Sequence, residues 1–240
     1  MGAFLYGAAL QWKLDIRSRA MLITCYVVPL LFFLLMGGIF TTVMPQMRET
    51  LIPSMIVMGV SMGALIGLPP SLAETYGSEI KKAYQANGVP LFAVLLTMCL
   101  SAFVHLMLLG IVILVLAPVL FDAALPKEPF RFLLALALFI LVSLGMGSIL
   151  GLTVQNQAKL TMLAQMIFLP SIMLSGIMFP MELLPKAFQG LGRIFPSSWG
   201  YRLMQEGGVC LGNLWYLLLV LVISGSVCAF LLKRRKPGQP

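Results

Sequence analysis

The residues able to do chemistry in this chain are few and far apart. There is one histidine, His105, so neither an HExxH zinc site nor a histidine cluster can be assembled. The four cysteines, Cys25, Cys99, Cys210 and Cys228, show no CxxC spacing. Three of them fall inside apolar stretches, where they read as small core residues rather than as a disulfide framework or metal ligands. No GxSxG nucleophile elbow occurs, and the lack of any Gly-Lys dipeptide excludes a P-loop. The chain is therefore expected to be no enzyme and to bind no metal or cofactor itself. Energy for any active transport must come from a separate protein. His105 lies within an apolar run, which makes it a functional candidate by position, although a neutral imidazole there can be satisfied by one helix carbonyl.

The elements that must carry these residues follow from composition. Of 240 residues, 60% are apolar and only 10% are charged, against roughly 25% charged in a soluble domain. Such a chain cannot cover its own surface in water. Six apolar segments run over 20–40, 51–68, 91–116, 132–154, 160–179 and 214–232, and none contains Asp, Glu, Lys or Arg. Each is near the ~20 helical residues that cross a ~30 Å hydrocarbon core. The runs are continuous rather than alternating, so the spans are helices and not barrel strands. The fold class predicted is an all-α integral membrane protein with six transmembrane helices. The missing intramembrane carboxylates argue against an ion-coupled transporter, and the unequal loops of the two halves argue against an inverted repeat.

Lys13, Arg17 and Arg19 precede the first run as in a signal peptide, but the run is too long for a secretory core and no A-x-A site follows. It reads as a retained span. Before it, Phe4, Leu5, Ala8, Ala9, Trp12 and Ile16 share one helical face, with Gln11, Lys13, Asp15 and Arg17 elsewhere. That pattern predicts an interfacial helix over residues 1–19. With the N-terminus inside, the inner segments carry ten basic and three acidic residues and the outer loops six and five. This is a positive-inside distribution with both termini cytoplasmic, as an even span count requires. The net charge of +8 is read as orientation and contact with anionic membrane lipid, not as nucleic-acid binding. The basic run 233–236 is an anchor of the same kind.

Three patterns remain. Gly59, Gly63 and Gly67 repeat every four residues in the second run, and Gly147 with Gly151 in the fourth. Small-xxx-small spacing lets helices approach closely, either at a subunit contact or by ordinary packing within one bundle. In the loop 69–90, Leu72, Tyr76, Ile80 and Tyr84 recur every four residues, with Glu74, Glu79, Lys81 and Lys82 off that stripe. Gly88 supplies a C-terminal cap and Pro90 opens the next helix. This predicts a short amphipathic helix on the cytoplasmic face, either pressing a partner protein or simply linking two spans. The segment 180–213 is apolar but broken by Pro180, Pro185 and Pro196. It suits a hairpin dipping back into the outer leaflet, or else a loop on the surface.

The run Ser175-Gly176-Ile-Met-Phe179-Pro180, followed by Leu-Leu184-Pro185 and Ile-Phe-Pro196-Ser-Ser-Trp, resembles the end of the ABC type-2 exporter permease family. The resemblance covers essentially the whole chain as one transmembrane domain. It implies an interfacial helix (1–19), spans one and two (20–68), a coupling loop (69–90), spans three to five (91–179), an outer re-entrant segment (180–213), and span six with a basic tail (214–240). It also implies a permease working as a homo- or heterodimer with two ABC ATPase subunits, which bind the ATP and Mg. The coupling helix, Leu72 through Gly88, would enter a groove on the ATPase. Where the family often has Glu followed by Gly-Thr, this chain has Glu74 and then Gly77-Ser78. Substrates implied are amphiphiles (drugs, peptides, lipids or glycans), moving out near spans one, two and five at the dimer interface of a cell membrane. A reading from a different class is a non-transporting membrane tether that docks a soluble protein through the same helix. A lipid-modifying membrane enzyme is disfavoured by the missing motifs.

Overall fold

Backbone amides in lipid have no water to bond, so each apolar run closes its own hydrogen bonds as a helix. The computed structural model describes residues 2–77, 79–178, 181–205 and 211–234, and these are helical with no strand. Helix α1 (Gly2–Arg17) breaks at Ser18 and passes into α2 (Arg19–Leu22). The first span is a wide π turn, Ile23–Val27, continued by α3 (Val28–Val43). A 3-10 turn, Pro45–Glu49, leads to the second span. That span joins α4 (Leu51–Met62), a second π turn (Gly63–Gly67) and α5 (Leu68–Gly77) in one continuous helix. Next come α6 (Glu79–Ala86), α7 (Leu91–Phe121) as the third span and α8 (Pro129–Thr153) as the fourth. Helix α9 (Gln157–Met173), a 3-10 turn (Met181–Leu183), α10 (Lys186–Gly192) and α11 (Pro196–Gln205) precede α12 (Leu211–Arg234), which carries the last span.

Among the described residues five helices are long and apolar enough to cross a membrane, one fewer than expected. The predicted run 160–179 becomes α9, a helix of 17 residues. At 1.5 Å per residue it reaches about 25 Å, short of a ~30 Å core. Its apolar continuation is folded inward instead: Gly176 adopts φ 85 and turns the chain, and Ser175 and Ile177 are buried. An apolar run records what is kept from water, and a buried turn extends it as readily as a helix does.

The second span is the central post. Of its most apolar window 83% is buried within the chain, against 28% for the first span and 17% for the last. The first and last spans accordingly present exposed Leu31, Leu34, Leu35, Val222 and Ile223. Lipid tails solvate such faces as well as protein does, so helix association rests on close packing. The glycines allow that packing. Gly59 lies against Leu109 and Pro29, Gly63 and Gly67 against Cys25, Gly147 against the Ala64 carbonyl, and Gly151 against Pro69 and Leu72. All five thus lie against neighbours of the same chain, in the packing of its own bundle.

The inward face of α1 also differs from expectation. Asp15 is buried and Gln11 half-buried against α7, while Leu10, Leu14 and Ile16 are exposed. Partners on α7 decide this: polar groups there receive the polar edge of α1.

Candidate functional site

The link between spans two and three was expected to be one helix over 72–88. Its described residues are helical on both sides of Ser78, which lies outside the described residues. The second span continues through α5 to Gly77, and α6 begins at Glu79. Leu72 and Tyr76 are 0% and 2% exposed, so half of the predicted stripe belongs to the bundle rather than to a docking face. The cause is α8, against which α5 packs closely with Leu72 over Gly151. The Tyr76 hydroxyl donates to the Leu91 carbonyl at 2.6 Å. The Gly77 end of span two is thereby pinned to the first residue of span three.

Helix α6 carries the remaining half. Ile80 is 42% exposed and Tyr84 half-buried. Glu74 is exposed, Lys81 half-buried, and Lys82 pairs with Glu79 at 2.8 Å in an exposed ion pair, a contact contributing about 0–1 kcal/mol. The helix stops as its sequence implies. Gly88 adopts φ 71, and the Val89 amide donates to the Tyr84 carbonyl at 2.9 Å, a Schellman closure. Pro90 then caps α7. Between α1, this loop and the start of α7 lies a groove of about 530 Å³, lined by Leu10, Leu14, Tyr84, Val89 and Val94 among others. That volume suits a drug-sized amphiphile.

Beside the groove is a polar cluster that sequence reasoning missed. Asp15 accepts from Ser101 Oγ at 2.5 Å and from Gln11 Nε2 at 2.9 Å. Trp12 stacks on His105 with ring centroids 4.1 Å apart, and the Tyr26 hydroxyl meets His105 Nδ1 at 2.7 Å. Burial pushes the Asp15 carboxyl above its ordinary value, and the hydrogen bonds from Ser101 and Gln11 oppose the shift. Helix α1 is thus fastened to the third span by Asp15 and Trp12, and His105 ties that span to Tyr26 of the first. The available signal was a matched pair of spacings: Gln11 and Asp15 four apart on one helix, Ser101 and His105 four apart on another.

Away from this cluster, the segment that follows α9 is bonded to itself. Ser175 Oγ donates to the Ile172 carbonyl at 2.9 Å, and Gly176 makes the turn. Gln189 Nε2 reaches the Leu184 carbonyl at 2.8 Å, just before Pro185 opens α10. Pro196 opens α11, where Ser198 Oγ donates to the Gly192 carbonyl at 2.5 Å and Trp199 Nε1 to the Arg193 carbonyl at 2.6 Å. Trp199 also stacks on Tyr216 of α12. Helix α11 lodges against α4, α8 and α12, with Gly200 against Phe139, ten residues inside α8. Phe179 and Pro180, also singled out in the sequence, lie outside the described residues.

These features have a counterpart among known families. A family model described as ABC-2 type transporter matches residues 4–207. The chain belongs to that family. No curated protein matches it. The match opens in α1 and closes just past α11, so it takes in four spans, the α5–α6 connection and the segment from α9 through α11. An ABC-2 type transporter chain is a multi-pass membrane permease subunit. It is not itself catalytic, and it partners an ABC ATPase subunit.

Proposed function

We propose that this ABC-2 type permease exports an amphiphile and that α6 receives the stroke of a separate ATPase. The carrying observation is the place of α6 between two spans. Helix α6 is short, amphipathic and exposed at Ile80; it begins two residues beyond Gly77, the end of span two, and is closed onto span three by Gly88 and Pro90. Tyr76 ties those two spans together one turn away. A push on α6 therefore reaches both helices at once. The docking face consists of Ile80, Tyr84, Lys81, Lys82 and Glu79. Leu72 and Tyr76 act inside the bundle as the lever's anchor.

Both termini and α6 lie on the cytoplasmic side in this reading, by the charge asymmetry of the loops, which requires α9 and the buried turn after it to make a sixth crossing together. The outer segment is re-entrant, with α11 held by protein on several sides, as irregular backbone at membrane depth requires. Two copies form the transport path, each with one ATPase holding ATP and Mg. The apolar groove beside α1 opens at the inner surface and favours an amphiphile over an ion.

The test is co-purification with the partner ATPase. Ile80→Asp and Tyr84→Ala should reduce association. Tyr76→Ala should leave association intact and lower substrate-stimulated ATP hydrolysis. Labelling of cysteines introduced along α6 from outside the cell, or association indifferent to both docking changes, would remove the coupling assignment. Intact association with no substrate-dependent hydrolysis under any condition would favour a tether.

A further inference from the structure

Arg202 has no acidic partner among the described residues. The ion pairs there are Lys82 with Glu79 and Arg131 with Glu128. Arg202 is half-buried on α11, between buried Tyr201 and Leu203. Its Nη2 donates to the Met181 sulfur at 2.9 Å, and its guanidinium carbon lies 5.9 Å from the Trp199 ring centroid. A guanidinium carries five N–H donors, and a thioether is a weak acceptor. Removing such a cation from water without a strong acceptor is costly.

The guanidinium borders a cavity of about 200 Å³. Its other walls include Thr50, Ser175, Gly176, Met181 and Gln205. No described lining residue is a carboxylate. Gly176 is held at φ 85, so backbone rather than a side chain faces that wall. Thr50 immediately precedes Leu51, the first residue of the second span, which sets the cavity at the end of that span. In a bilayer this is headgroup level, where the abundant anions are lipid phosphates.

Size decides between a whole molecule and part of one. Pockets for drug-sized ligands run from about 300 to 1,000 Å³, and a water takes about 30 Å³. A cavity of about 200 Å³ therefore takes an anionic headgroup with some water and leaves the rest of the molecule outside. The planar fork of arginine matches phosphate oxygens in a bidentate pair. We infer that Arg202 and the cavity between α11, the Ser175-Gly176 turn and the start of the second span bind a phosphate group, supplied by a membrane phospholipid or by free phosphate. The site is independent of the exporter reading and needs no ATPase.

The test uses the purified full chain in detergent, titrated with phosphatidylglycerol, with diacylglycerol of the same acyl chains, and with inorganic phosphate. Binding is read by native mass spectrometry and by thermal stabilisation. Phosphatidylglycerol is expected to bind and diacylglycerol not to. Arg202→Gln should weaken that binding at least tenfold, and Arg202→Lys by less, since it keeps the charge but loses the fork. Gln205→Trp, at an exposed position, should block the cavity with Arg202 intact, which keeps the test valid if Arg202→Gln folds poorly. Protection by phosphatidylglycerol alone identifies the lipid as the source; equal protection by inorganic phosphate identifies the free anion. Equal binding of diacylglycerol, or phosphatidylglycerol binding unchanged in both Arg202→Gln and Gln205→Trp, overturns the site.

Discussion

Gly151→Ala tests whether the α5–α8 contact holds the Gly77 end of the second span. A Cβ at Gly151 would lie 2.7 Å from Leu72 Cβ, 2.8 Å from the Pro69 carbonyl oxygen and 3.0 Å from Pro69 Cα. Ordinary contact begins near 3.4 Å, so α5 and α8 must separate by several tenths of an ångström. Two of the three atoms are backbone, and the third is a Cβ fixed to it, so no side-chain rotation relieves the clash. Overpacking of this kind costs about 1–3 kcal/mol. Against it stands the helix preference for Ala over Gly, about 1 kcal/mol in an interior position. The net expectation is a loss of up to roughly 2 kcal/mol, centred near about 1 kcal/mol. For a chain of this length that centre corresponds to a fall of about 2–4 °C in melting temperature, and the upper end to about 8 °C. Fluorescence-detected size-exclusion after heating in detergent reads this directly. Gly225→Ala is the control: nothing lies within 4 Å of a Cβ there, so only the preference for Ala remains and the melting temperature should rise slightly. Gly151→Ala melting at or above wild type would refute the argument, as would an equal fall in Gly225→Ala.

Gly200→Ala would drive a methyl into the Phe139 ring, whose Cε2 and Cγ lie 2.8 Å from the added carbon. It should destabilise by about 1–3 kcal/mol, and a double mutant with Phe139→Leu should recover part of the loss, a coupling readable from melting curves. Tyr76→Phe removes the hydrogen bond to the Leu91 carbonyl and should cost about 1 kcal/mol of stability; a melt unchanged from wild type would count against the pin between spans two and three. Asp15 gives a pH signature. Its folded pKa is raised above 3.8 by burial, so its contribution is fully present below that value and is lost as pH rises through the folded pKa. Wild type should lose melting temperature over that window relative to Asp15→Asn, whose side chain does not titrate, and parallel pH profiles would contradict the burial of the charge.

The chain's class was legible from residue types alone. Runs without charge, of the right length, can only be helices in lipid, and the six apolar stretches all appear as helix over most of their length. The cap at Gly88 and the helix start at Pro90 were equally legible, because each depends on local backbone geometry. What the sequence left undecided was which neighbour each face meets. Leu72, Tyr76, Ile80 and Tyr84 form one stripe by spacing, but α8 covers the first two and leaves the last two on α6. The glycine repeats announce a close approach without naming the partner, and the fold places those partners within the same chain. Asp15 and His105 are 90 positions apart in sequence, and no local pattern could join them. Periodicity sets a residue's direction from its own helix axis; only the packing of helices decides whether that direction holds lipid, water or another side chain.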